Sequence, residues 1–299
     1  MDVRCRACVV VIFVLLLLGS LCLHRILEHH SEVYSVKIKV VSLVIDNTSD
    51  SPLSVCPDQS FQIAYLLAHL QAAPLAANDV LLKPYLASWD ELIKFLEALG
   101  PIVGIISQEI ESKTTIIRDL AQKAEEAERK INERKWTTKE LAQRKSSNYS
   151  KMDQTLSSGY TSVRSMIKLE LENGLVDFQT QTDSGCRTLL RLHRALLWLQ
   201  NFLHELGKDA AKGERLRRPS DLCKETYQRT LARHHSWWAR KAAELAFLAM
   251  PERSYFYKLV CVKTQAEASV VLNRVVKAIE KVYKRNEVAL QEHGMLDLP

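Results

Sequence analysis

From about residue 60 to its end, the chain repeats apolar residues every three to four positions, and little interrupts the pattern. Phe61, Ile63, Leu66, Leu67 and Leu70 can share one helical face, as can Leu92, Phe95, Leu96 and Leu99. With only 9 glycines and 8 prolines in 299 residues, the chain lacks the turns that a β-sandwich or barrel requires. Apolar residues at 47% and charged residues at 25% exclude a mostly disordered chain. The pattern predicts an all-α domain over 60–299 with seven or eight helices. Ser88-Trp89-Asp90-Glu91 reads as a capping box that opens a helix, and Thr264-Gln265-Ala266-Glu267 as another. Gly100-Pro101 ends one helix and starts the next. Further helices are expected at 160–178, 186–206, 220–249 and 265–290. The mixed-charge insertion 119–148 reads as a solvated helix laced by i,i+4 pairs.

The other end of the chain differs. Residues 7–23 contain no charge and follow Arg4 and Arg6. This run is longer than a secretory core of about 7–15 residues and at the short limit of a bilayer span of about 17–25. Both a signal-anchor helix and a cleaved signal peptide fit residues 1–30, with residues 31–59 as a juxtamembrane stem. The expectation is a membrane-associated chain, single-pass or on the secretory route. Asn47 and Asn148 begin N-x-Ser sequons, which would carry glycan only in that setting. Seven cysteines are scattered without a metal-binding cluster, and their pairing stays open.

Enzyme signatures are missing. There is no G-x-S-x-G, no H-E-x-x-H and no phosphate-cradling glycine loop. His234 and His235 are adjacent, and neighbours on a helix do not face each other. No catalytic residue, metal site or cofactor is therefore expected. A net charge of +6 suits an anionic surface and does not call for nucleic acid.

The informative residues are charges inside apolar helices. Arg187, Arg191 and Arg194 recur at i, i+4 and i+7 in GCRTLLRLHRALLWL, close to Leu190 and Trp198. Glu109 and Lys113 stand at i, i+4 in IVGIISQEIESKTTII. Exposed polar stripes would look the same. Two stripes on strongly apolar helices also suit a convergent cationic site, because guanidinium groups bind phosphate bidentately.

The segments LKPYLASWDELIKFLEALG (82–100), GCRTLLRLHRALLWLQNFL (185–203) and HHSWWARKAAELAF (234–247), with LDLP (296–299), resemble the glycolipid transfer protein superfamily, and within it the ceramide-1-phosphate transfer branch. The resemblance covers roughly 60–299 and leaves out residues 1–50. It implies a two-layer helical sandwich, here preceded by the N-terminal hydrophobic segment, with lipid chains between the layers and the headgroup at the surface. Lys113, Arg187 and Arg191 match the phosphate-binding positions. Glu109 stands where the family has an Asp for the sphingoid amide N–H, and His235 matches the residue for the amide carbonyl. Trp237 matches a packed position, while Trp238 suits a membrane interface. The implied activity is non-enzymatic transfer of a phosphorylated sphingolipid, most simply ceramide 1-phosphate, with a membrane surface as partner. A sphingolipid sensor or tether that does not shuttle lipid is the alternative, and the family's members suggest the cytosol as the alternative location.

Overall fold

The computed structural model describes residues 53–143, 159–210 and 215–299, with side chains in the long third helix described as far as Ile131. The described residues form nine α-helices: α1 (Ile63–Ala72), α2 (Leu82–Ala98), α3 (Pro101–Gln143), α4 (Val163–Glu172), α5 (Gly185–Gly207), α6 (Pro219–Thr230), α7 (Trp237–Leu248), α8 (Arg253–Leu259) and α9 (Gln265–Glu292). A 3-10 turn, Ala232–His234, joins α6 to α7. Extended pairing among these residues is limited to two isolated bridges.

The helix starts follow local chemistry. Thr264 and Glu267 cap α9 reciprocally, as their spacing predicts. Gly100 takes a φ of 111° between α2 and α3, where a side chain would be strained. The Ser88 box is not a helix start. Ser88 lies in the middle of α2 and donates to the Tyr85 carbonyl, while buried Glu91 accepts from the Gln62 backbone N–H and pairs with Lys94. The same four residues thus serve tertiary packing instead. The stretch expected as one helix over 220–249 breaks at Leu231–Ser236 into α6, the 3-10 turn and α7.

Helix packing closes a ring: α5 against α9, α9 against α1, α1 against α2, α2 against α3, and α3 against α5. Inside it lie Leu66, Leu70, Tyr85, Trp89, Ile117, Leu189, Leu196, Val275 and Ile279, all buried. Helix α6 covers α5, and α7 reaches α3. Arg118 of α3 holds both carboxylate oxygens of Asp90 on α2 at 2.9 Å. Phe61, Phe95, Phe256 and Phe202 form a chain of ring contacts at one end. There a disulfide joins Cys56, ahead of α1, to Cys261, after α8, across 205 residues.

The N-terminus of α5 is fixed from below. Glu170 of α4 is fully buried and accepts from the backbone N–H groups of Gly185 and Cys186 at 2.6 and 2.9 Å. Tyr160 donates its hydroxyl to the same carboxylate at 2.6 Å. A Cβ on Gly185 would stand 2.7 Å from Glu170 Oε1, so only glycine lets the carboxylate approach this closely. A buried charge satisfied by three donors at the positive end of a helix is a stable arrangement.

Residues 7–23 lie outside the described residues, as do Asn47 and Asn148. Among the described residues no helix is long and apolar enough to cross a membrane.

Candidate functional site

Helices α3 and α5 pack together and bury Val103, Ile110, Ile117, Leu189, Leu192 and Leu196. Each carries its predicted charges along the edge of that contact. Lys113 Nζ lies 2.9 Å from Glu109 Oε1, with the glutamate side chain 72% exposed and the lysine far less so. Arg191 is half-buried, and its side chain makes no hydrogen bond or ion pair to a described residue. Burial lowers its pKa, Arg187 lowers it further, and Glu109 opposes both. Arg191 therefore sits within electrostatic reach of Arg187 on its own helix and Glu109 on α3. A guanidinium with all five donors unmet in a partly desolvated place is a ready anion ligand.

His235 joins from a third direction. It follows the 3-10 turn, and its Nδ1 lies 2.8 Å from the Tyr227 hydroxyl of α6. Burial depresses its pKa, with Glu109 opposing and Arg191 reinforcing the shift. The imidazole is thus neutral at neutral pH. Where the Tyr227 hydroxyl donates to Nδ1, the ring proton sits on Nε2 and is a donor there. Tyr227 had no signal in the sequence; only the break between α6 and α7 brings it to His235.

All five predicted residues therefore fall in one neighbourhood: Glu109, Lys113, Arg187, Arg191 and His235. Arg194 is engaged elsewhere. Its Nη2 donates to the Leu296 carbonyl at 2.7 Å. It lines a separate cavity of about 450 Å³ with His193, Arg233, Tyr283, Glu287 and Asp297. There His193 Nε2 bonds Glu287, and its ring stacks on Tyr283 at 4.1 Å. Trp237 also departs from its expected packing. It is 53% exposed and meets Trp238, itself 76% exposed, edge to face. The reason is that α7 buries only Ala246 and Phe247 and leaves Leu245 and Leu248 in solvent.

The profile of the glycolipid transfer protein (GLTP) family matches residues 80–262. This chain is a member of that family. The ceramide-1-phosphate transfer protein of Rattus norvegicus is 33% identical over 248 residues, which are 81% of this chain and 99% of the relative. The Homo sapiens protein of that name is 32% identical over 245 residues, covering 81% and 98%. Two solved structures agree in fold. The apo form of the mouse ceramide-1-phosphate transfer protein superposes with a TM-score of 0.63 at 33% identity, covering 80% of this chain and 100% of that one. The human protein in complex with 12:0 ceramide 1-phosphate gives 0.62 at 32% identity, covering 78% and 97%.

These findings correct the expected location. The apolar run 7–23, on which a membrane-associated chain was expected, precedes the family match and the described residues. The relatives are matched almost from end to end by about four-fifths of this chain, and no described helix can span a bilayer. The matched and described residues do not support the expected membrane association through an N-terminal segment.

Proposed function

We propose that this GLTP-family chain binds ceramide 1-phosphate and moves it between membranes without covalent chemistry. The observation that carries the reading is Arg191, half-buried and without a hydrogen-bond partner among the described residues, between Arg187 and the Glu109–Lys113 pair. A phosphate monoester brings nearly two negative charges, which Lys113, Arg187 and Arg191 can neutralise. Arginine forks grip phosphate oxygens in pairs, and a lysine adds a point charge. The sphingoid amide needs one acceptor and one donor. Glu109 supplies the first and the neutral His235 the second. The relatives support the choice of lipid, since the human structure holds that molecule.

Affinity would come mainly from the hydrocarbon. Each CH₂ withdrawn from water contributes about 0.8 kcal/mol, and the apolar interior between the helices offers such surroundings. A bilayer offers the chains an equally apolar place, so contact with one permits release. The exposed Trp237, Trp238, Leu245 and Leu248 of α7 suit that contact.

The test is transfer of fluorescent ceramide 1-phosphate between phosphatidylcholine vesicles by the full chain. Arg191→Leu should abolish transfer while far-UV circular dichroism stays unchanged. Transfer at the original rate would overturn the phosphate assignment.

A further inference from the structure

Arg187 is held at three of its nitrogens before any ligand arrives. Nε donates to the backbone oxygen of Pro299 at 2.6 Å, Nη1 to the Thr182 carbonyl at 3.2 Å, and Nη2 to Oε1 of Gln181 at 2.7 Å. Two turns along α5, Arg194 donates to the Leu296 carbonyl. Two arginines of one helix thus clasp both ends of the segment 296–299. The segment is pinned, because Met295 just before it and Leu298 within it are buried in the core. The Met295 backbone N–H also donates to Leu290 of α9 at 2.9 Å. Arg191, midway between the two clasped arginines, receives no such hold among the described residues.

We infer that residues 295–299 form a strap that positions Arg187 and keeps Arg194 at the chain's own backbone, and that this strap sets the discrimination between phosphorylated and unphosphorylated sphingolipid. The inference rests on the reading of Arg187 as a phosphate ligand. A free arginine loses rotamer freedom when it grips a ligand, and a held one has already lost it. A guanidinium has five N–H donors, and the three holds on Arg187 leave two for a phosphate oxygen. Arg194 would otherwise add a third positive group on the same helix, where burial and then Arg191 and Arg233 depress its pKa while Asp297 of the strap opposes them. Its attachment to Leu296 leaves Arg187 and Arg191 as the pair that meets the headgroup. The strap reaches the proposed headgroup site through Arg187, so its residues are positioning elements.

The experiment measures equilibrium uptake of ceramide 1-phosphate and of ceramide from phosphatidylcholine vesicles by the full chain, by a variant ending at Leu298, and by Gln181→Ala. The first change removes the Pro299 acceptor and keeps the Leu298 peg. The second removes another hold on Arg187 from an exposed loop and leaves the core alone. Loss of a positioned, charge-assisted contact should weaken ceramide 1-phosphate uptake about tenfold in the shortened chain and several-fold in Gln181→Ala. Ceramide uptake and the melting temperature should hold in both. Equal losses for the two lipids, or full retention of ceramide 1-phosphate in both variants, would overturn the strap. An unmodified chain that takes up the two lipids without preference refutes the phosphate reading itself. A preference that survives both changes refutes the strap alone.

Discussion

The Tyr227 hydroxyl stands 2.8 Å from Nδ1 of His235 and ties the tautomer and orientation of that ring to α6. Removing the hydroxyl frees the imidazole to exchange tautomers and to turn. Tyr227→Phe keeps the ring packing on Phe247 and loses only that hydrogen bond. Ceramide 1-phosphate transfer should fall about three- to tenfold with the fold intact, as expected for one neutral hydrogen bond. A vesicle transfer assay with thermal melting in parallel checks it, and an unchanged rate would show that His235 needs no orienting partner.

Acid should weaken the fold through its histidines. Burial holds both His193 and His235 below the ordinary value near 6.5, although Glu287 and Glu109 pull the other way. A histidine with a depressed folded pKa takes up its proton first in the unfolded chain. Stability is therefore complete above pH about 6.5 and falls as pH drops from there to the folded pKa, by at most about 1.4 kcal/mol per pH unit for each histidine. Denaturant titrations at pH about 7.5 and about 5.5 should show the loss, and His235→Asn should reduce it. A variant with an undiminished loss would remove His235 from the account.

Glu109 and Lys113 hold each other on the surface of α3. An i,i+4 helix pair of this kind, with its carboxylate in solvent, contributes about 0.3–0.5 kcal/mol, so a phosphate can displace it cheaply. Glu109→Asp shortens the reach by one methylene, releases Lys113, and keeps a carboxylate for the sphingoid amide. Transfer should be preserved or faster. A large loss in the same assay would mean that the lipid lies in a different pose from the one proposed.

The Glu170 carboxylate is the support under α5. Glu170→Gln replaces one acceptor oxygen by an NH₂ group that faces donors from Tyr160, Gly185 and Cys186. A buried N–H then loses its partner, which costs about 2–4 kcal/mol. Chemical denaturation should show that loss, and Gly185→Ala should act in the same direction through the clash at 2.7 Å. Equal stability of Glu170→Gln and the unmodified chain would mean that α5 does not depend on this cap.

Periodicity and caps made the helical class legible, because a helix face and its first turn are set by residues three or four apart. Thr264 and Glu267 illustrate it, and so do the shared face of Arg187 and Arg191 and the family resemblance that named the five site residues. Ser88 shows the limit. Its box satisfies the local rule, yet Glu91 is drawn to the Gln62 backbone, 29 residues away. Local chemistry cannot weigh that competitor. The same holds for Arg194, which local spacing aligned with its two neighbours and which a carbonyl 102 residues later takes for itself. Trp237 matches a packed position in sequence yet lies outward, because α7 packs through only two buried residues. Which charge on α5 is left free was decided only when distant backbone oxygens took Arg187 and Arg194, and His235 met its Tyr227 partner only because the chain breaks between α6 and α7.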